Sequence, residues 1–572
     1  MKKLLRNIDL GLMARIHIIA LLIVITFFSC DEVEFLKENP LDFYAPENSY
    51  LTYADFDAAV YNLHAVYRSY MYDQREPRNY WDISDLATSF YYPDGGRTVD
   101  TRITPSGGEV SGPWRAAYRI IYDANVIIER SESDIVEISN EEKTYFQAEA
   151  RFFRAYAYRL LGHLFGGVPI VLSETKAPKR DYVRATRQEV YEQCATDLEF
   201  AVANLPEIDE VDGSRINRLA ASHVLTEIYI SLERWTDAIN EASKVIDDPA
   251  TALMTSRFGS RVDEPGDVYW DLFRQGNQNR TSGNTEAIWV MQMGYNIPGG
   301  TNGNNHFYAV ERNISPRLYQ ARITQSDGST ETIHNQPNSY VGGRGVGFSA
   351  PSTYFRYELW AGAFNLDIRN SSYNIMRDFQ VMNPDNEYNG MWVFADNLPV
   401  VLETAQDSTR NFYPLIMKGT TPGRHPQEFW HADQTVPGAL TNQAGTTLRD
   451  HYEIRLADTY LLRAEAHLGN GDPASAAADI NEVRQRASAP DVTSGEVDID
   501  YILDERLREL HYEEMRLITL MRLGKAVERI KSLNPIVGAT MGDHMDLYPI
   551  PIDDIQKNTG AVLEQNPGYG TE

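Results

Sequence analysis

The sequence predicts a mainly α protein: a tetratricopeptide-like helical scaffold with a loop-rich insert containing a few short strands. Three observations predict it. Apolar residues recur at helical spacing over residues 145–164, at Phe146, Ala150, Phe153, Ala157, Leu160, Leu161 and Leu164. Two helix–turn–helix patterns, over residues 220–249 and 457–487, carry small residues where paired helices must approach closely. Between them, from about 251 to 450, the period is lost and Asn, Gly and Pro cluster. With 572 residues, 42% of them hydrophobic, the chain can form roughly two to four domains or one large unit.

The first element is a targeting segment. Lys2, Lys3, Arg6 and Arg15 accompany an apolar run from Ile18 to Phe28, which Ser29-Cys30 closes. About a dozen apolar residues behind positive charge mark export, because a membrane span needs roughly 20. Ser29-Cys30 looks like a bacterial lipobox. Residues 1–29 therefore read as a lipoprotein signal peptide, and Cys30 as the acylated first residue of the mature chain. The long positive segment leaves Met13 open as the start. Residues 30–50, with Asp31, Glu32, Glu34, Asn39-Pro40 and Pro46, lack a period and read as an acidic tether.

Residues 51–250 read as a helical N-terminal region. The helix of 145–164 stops at Gly166-Gly167, and Pro169 seals the stop. In the first repeat unit Ala221, Leu225 and Tyr229 line one helix, and Trp235, Ala238, Ala242 and Ile246 the other. In the second, Leu461, Ala464 and Leu468 precede Gly469-Asn-Gly-Asp-Pro473, and Ala474, Ala477, Ile480 and Val483 follow. A free solenoid needs about three units, so helices near 53–70 and 115–130 are expected to cover these two. Trp235, Trp270, Trp289 and Cys194 fall in apolar patterns and are assigned to the core. Residues 251–572 then divide into variable loops at about 290–447 and a helical part at 448–572, with Ala287–Met293 as a candidate strand. Loops held between rigid scaffolds often carry binding function.

The formal charge of −28 disfavours polyanionic partners such as nucleic acid. Cys30 and Cys194 are the only cysteines, so a cysteine-based metal site is excluded and an acylated Cys30 excludes an intrachain disulfide.

Four stretches together resemble the SusD/RagB family of outer-membrane lipoproteins. The first runs from Trp114, Tyr118 and Asp123-Ala-Asn125 through Glu149-Ala-Arg-Phe-Phe-Arg-Ala-Tyr156 to Phe165-Gly-Gly-Val-Pro169; the second runs from Arg215 to Ile246. The third holds Ile454-Arg-Leu-Ala-Asp458, Leu462-Arg-Ala-Glu-Ala466, Asn481-Glu-Val-Arg484 and Glu505-Arg-Leu-Arg-Glu-Leu510. The fourth is the tail, Tyr548-Pro-Ile-Pro551 and Gln565-Asn-Pro-Gly-Tyr569. One departure follows Arg516, where Leu517-Ile518-Thr519-Leu520 replaces the family's aromatic-and-acidic run. The resemblance implies a cell-surface binding protein, without enzymatic activity or cofactor, that captures oligosaccharides. It would deliver them to a SusC-like TonB-dependent transporter. Some members take peptides instead. Asp31, Glu32 and Glu34 resemble the family's surface-export signal and equally suit a solvated tether.

Charged residues within the apolar helical patterns — Arg455, Asp458, Arg463, Glu465, Arg484 and Glu505 — are expected to form structural ion pairs, since buried charges need partners. No Gly-x-Ser-x-Gly, His-Glu-x-x-His or phosphate loop is present, which weighs against the competing reading as a surface glycoside hydrolase. A calcium site among Asp and Asn loops stays open, without EF-hand spacing. Sugar capture needs flat aromatic faces for pyranose C–H surfaces and polar groups for the hydroxyl rim. The chain holds 34 tyrosines. The ligand candidates are Trp81, Tyr91, Tyr92, Tyr295, Asn296, Tyr308, Tyr340, Trp392 and Trp430, each with core packing as the competing role. Their neighbours Tyr80, Asp82, Asp94, Asn304, Asn305 and Phe307, and Trp360, complete the set.

Overall fold

The computed structural model describes residues 49–72, 76–89, 98–297, 308–402 and 410–570. Thr52–Glu572 form one compact unit. Cys30, the signal peptide and the tether up to residue 48 lie outside the described residues. Among the described residues no helix is long and apolar enough to cross a membrane.

The scaffold is helical. Its main helices are α1 (Tyr53–Tyr72), α2 (Gly108–Arg130), α3 (Asn140–Phe165), α4 (Arg187–Asn204), α5 (Arg218–Ser231) and α6 (Trp235–Ile246). After the insert come α7 (Leu456–Gly469), α8 (Pro473–Arg486), α9 (Ile499–Leu510), α10 (Arg516–Arg522) and α11 (Ala526–Leu533). Helix α3 begins earlier than its apolar period suggests, because Ser139 and Glu142 form a reciprocal capping box. It ends at Gly166, whose φ of +74° suits glycine. Successive helices pack side by side from α2 to α6, α6 packs on α7, and α7 on α8 and α9. Helices α1 and α2 pack on each other and on α3, and the repeat units are flanked by α4 and α9 instead, which corrects the expectation that residues 53–70 and 115–130 cover them. The two repeat units meet through Trp235 and Gly469. A Cβ on Gly469 would lie 2.6 Å from the Trp235 ring. That junction also corrects one expectation, since Trp235 is half-buried at the seam between units and not in the core. Trp270 and Trp289 are buried, as is Cys194.

The insert leaves and re-enters the scaffold at neighbouring strands. β1 (Ala287–Met291) pairs antiparallel with β5 (His451–Arg455). Trp289 on β1 is enclosed by Tyr67, Phe152, Phe153 and Tyr156, with ring centroids 5.5–6.3 Å away. Farther out, β2 (Arg322–Thr324), β3 (Thr330–Thr332) and β4 (Val400–Val401) form a three-stranded sheet in the order β3-β2-β4. Leu318, Ile323, Ile333, Phe379, Val393 and Leu415 give the insert its own apolar core. The loops therefore rest on a packed base.

A buried ionic frame ties insert to scaffold. Arg455 Nε lies 2.8 Å from Glu513, and its Nη1 lies 2.5 Å from Glu509 and 3.3 Å from Glu286. Arg369, from the insert, meets Asp367, Glu505 and Glu509 at 2.6–3.0 Å. Lys418, also from the insert, lies 2.6 Å from Glu513, and burial pushes its ammonium down to about 7. Burial alone would raise Glu505, but Arg369, Arg508 and Arg484 hold it at about 2. The six charges singled out in the sequence all have partners: Asp458 with Arg506, Arg463 with Asp479, Glu465 with Arg522, Arg484 with Glu505, and Arg455 as above.

Candidate functional site

The structure divides the candidate aromatics by burial. Trp81 is not a ligand group. It lies in the short helix Glu76–Asp82, fully buried, where its indole N–H donates to the Glu514 carbonyl at 3.0 Å and its ring meets Tyr512 edge-on. Tyr80 and Asp82 beside it are buried as well. Tyr308 is also a core residue. Its hydroxyl is hydrogen-bonded to His451 and its ring packs edge-on against Tyr72. Trp360 is buried against Phe355. Trp81 and Tyr308 thus find their polar partners inside the protein, so their hydrogen-bonding handles mark the interior, whereas the buried Trp360 indole nitrogen has no hydrogen-bond partner among the described residues. Tyr91, Tyr92, Asp94, Asn304, Asn305 and Phe307 lie outside the described residues.

The remaining candidates lie in the insert, where three extended segments run side by side. Ser339 N–H donates to Gly438 O at 2.8 Å, and Leu440 N–H to Pro337 O at 2.9 Å. On the other side of residues 438–440, His431 N–H donates to Ala439 O and Thr441 N–H to Phe429 O. The first segment leads into Tyr340, and the third carries Trp430. Asn338 fixes the turn between them, its Oδ1 accepting from Tyr340 N–H at 2.8 Å and its Nδ2 donating to Pro437 O at 3.0 Å.

Tyr340 and Trp392 form an exposed pair. They are 37% and 36% exposed, with ring centroids 6.3 Å apart at 76°. Trp392 is held by its own backbone, whose N–H donates to Asp396 at 2.6 Å, while Val393 next to it is buried in the insert core. Met391 and Phe394 extend the exposed apolar stretch. Partial burial, then the Asp378 carboxylate, raises the Tyr340 hydroxyl above its usual pKa. Two aromatic faces on a rigid base, edged by Asp378, Asp396 and Gln380, provide stacking surfaces and hydroxyl acceptors together.

Trp430 and Tyr295 are half-buried against a small core of Phe429, Leu440, Ala444 and Leu448. The Tyr295 hydroxyl donates to Glu428 at 2.7 Å; partial burial and that carboxylate push it up to about 12. Asn296, exposed, turns the chain at φ +54°. The structure therefore brings Tyr340 and Trp392 together, and sets Tyr295 and Trp430 on one shared core.

Sequence reasoning missed the support beneath these loops. Ser339 Oγ lies 3.4 Å from His425 Nδ1, and His425 Nε2 lies 3.9 Å from Glu311 Oε1. Thr421 Oγ1 donates to the other Glu311 oxygen at 3.0 Å, and burial raises that carboxyl's pKa. The order Ser–His–Glu resembles a hydrolytic relay. Here all three residues are buried, Ser339 Oγ accepts from Gly423 N–H, and Trp430 N–H donates to the His425 carbonyl. A nucleophile needs access to substrate, and this serine has none; the group fastens the Tyr340 and Trp430 loops to each other. These residues are far apart in sequence, so no local motif could have signalled them.

Two family models match the chain: one described as "SusD family" over residues 285–569, and one as "Starch-binding associating with outer membrane" over residues 51–230. SusD-like protein P25 of Formosa agariphila is 23% identical, aligned over 96% of this chain and 99% of its own. The starch-binding protein SusD of Bacteroides thetaiotaomicron is 34% identical over 121 residues, 20% of this chain and 21% of its own. Among solved structures, a laminarin-binding SusD-like protein superposes with a TM-score of 0.63 at 21% identity, covering 91% of this chain and all of that one. Surface glycan-binding protein A of Bacteroides thetaiotaomicron, in complex with laminarihexaose, gives 0.63 at 18% identity over 90% and 99%. These likenesses show the fold.

Proposed function

The chain belongs to the SusD family, and from that premise we propose that it captures oligosaccharides at the bacterial surface and passes them to a SusC-like TonB-dependent transporter. The observation that carries the reading is the exposed Tyr340–Trp392 pair on a packed insert. Two large aromatic faces left in water at such a base suit a ligand with apolar C–H faces and a hydroxyl rim. The acidic surroundings, Asp378 and Asp396, favour an uncharged glycan over a sulfated or uronate-rich one. Relatives described as laminarin-binding and glycan-binding support the ligand class.

The protein acts by binding and not by catalysis. The burial of Ser339, His425 and Glu311 and the absence of a catalytic sequence motif support this. Acylation at Cys30 after removal of residues 1–29 anchors it at the outer membrane, an assignment supported by the outer-membrane description of the matching N-terminal model. One acyl chain anchors only marginally, so the cysteine carries more than one.

Presenting the chain from residue 31 onward to immobilised neutral and anionic polysaccharides tests the reading. Retention on at least one neutral polysaccharide, with no new reducing ends in solution, is expected. Release of reducing ends would make the protein an enzyme, and binding of peptides alone would replace the ligand class.

A further inference from the structure

Outside the insert, the scaffold carries an aromatic groove that the capture reading leaves unused. Trp114, Tyr118 and Tyr122 succeed each other at four-residue intervals along α2, so each ring stands about 6 Å beyond the last along the helix axis. The facing wall is built by the segment after α3 and by the C-terminal tail, with Tyr182 and Asp554 opposite the stripe. The cavity between them holds about 400 Å³. The tyrosine in the middle is fixed, because its hydroxyl donates to the Pro169 carbonyl at 2.8 Å. At the inner end Trp114 is buried edge-on against Phe165. At the outer end Tyr122 stays 38% exposed.

We propose that this groove is a second carbohydrate-binding subsite, separate from the Tyr340–Trp392 pair and taking one or two sugar rings of the same neutral glycan. The volume lies within the roughly 300–1,000 Å³ of small-ligand sites. A protein partner would need a broad face of about 800 Å² on each side, and this groove is narrow and concave. Its charged groups have both signs: Arg115 and Asp554, with Arg119 beside them neutralised by Asp123 at 2.7 Å. Arg115 lies within electrostatic reach of Asp554, whose carboxyl pKa is raised by burial in the groove wall. A fully anionic ligand meets Asp554, and a cation meets Arg115. A neutral polyol can donate to Asp554 and accept from Arg115 while its C–H faces lie on the rings. Packing explains Trp114 and Tyr118. It does not explain why Tyr122 continues the stripe into solvent.

The inference rests on the oligosaccharide reading, and one experiment separates the two. The chain from residue 31 onward is titrated calorimetrically with laminarihexaose, maltohexaose and xylohexaose, and side-chain protection is mapped by hydroxyl-radical footprinting. For a hexaose that binds, we expect about two sites per chain, with protection at Tyr122 and Tyr182 as well as at Tyr340 and Trp392. Tyr122→Ala, at an exposed position that leaves the fold intact, should weaken one site at least tenfold and leave the other unchanged. A single site, protected only at Tyr340 and Trp392 and indifferent to Tyr122→Ala, overturns the second subsite and leaves the capture reading standing. If none of the three hexaoses protects either place, both readings fall.

Discussion

Identical side chains do opposite work here according to what surrounds them. Trp81 precedes Asp82 directly, and Trp392 precedes Asp396 by four residues. Trp81 is fully enclosed, while Trp392 is 36% exposed. Trp81→Ala should therefore cost about 3–5 kcal/mol of stability through the cavity it leaves, with no separate effect on ligand, as equilibrium denaturation will show. Sequence spacing could not separate the two, because their partners, Glu514 for Trp81 and Tyr340 for Trp392, are distant in the chain. Glu453 poses a different question. It lines an interior cavity, and burial pushes its carboxyl from 4.5 to about 7 despite hydrogen bonds from Tyr67 and Tyr72. The folded state thus binds this proton more tightly than the unfolded chain. The contribution of Glu453 to stability is greatest below pH ~4.5, falls by about 3 kcal/mol as pH rises through 7, and then levels off. Glu505 and Glu513, held at about 2 by arginines and Lys418, act oppositely, losing their contribution only as pH falls toward 2. Buried histidines with lowered pKa, such as His163 and His451, gain stability over the same range, so the Glu453 effect is read as the difference between wild type and Glu453→Gln in denaturant unfolding at pH 5 and 8. Glu453→Gln should abolish its share of the drop and leave the variant more stable than wild type at pH 8.

At the scale of elements, the helices were the legible part. Their apolar period, the Ser139 and Thr186 capping boxes and the Gly166 stop are local, and local signals survive in sequence. The seam between repeat units is also written locally, in Gly469 and Trp235. Gly469→Ala should displace the Trp235 ring and cost about 1–3 kcal/mol, read as a lowered Tm with unchanged glycan affinity. The ladder of 337–339, 438–440 and 429–431 was not legible. Its members are up to about a hundred residues apart and carry no alternating pattern, so only tertiary packing specifies their pairing. The same holds for Ser339, His425 and Glu311, three residues that no spacing rule links.

At the scale of the whole molecule, the fold separates holding from binding. The helical stack supplies rigidity, the β1–β5 pair closes the base of the insert, and the ionic frame locks the two together. The frame's weak point is Arg455, which compensates Glu286, Glu509 and Glu513 at once. Arg455→Met would leave Glu286, Glu509 and Glu513 to share only Arg369, Arg486 and Lys418, an excess of buried negative charge that should cost about 3–5 kcal/mol. Arg218→Ala, which breaks a largely exposed pair with Glu207, should cost less than about 1 kcal/mol by the same denaturation assay. On the proposed reading, binding falls to the insert's outer face, where exposed aromatics can change without disturbing the core. That separation is the central claim, and the double variant Tyr340→Ala/Trp392→Ala tests it most directly. Calorimetric affinity for the hexaose that wild type binds should fall at least tenfold at the insert site, with Tm unchanged within about 2 °C. Undiminished affinity at that site, or a fall in Tm that accounts for the lost binding, would contradict the account.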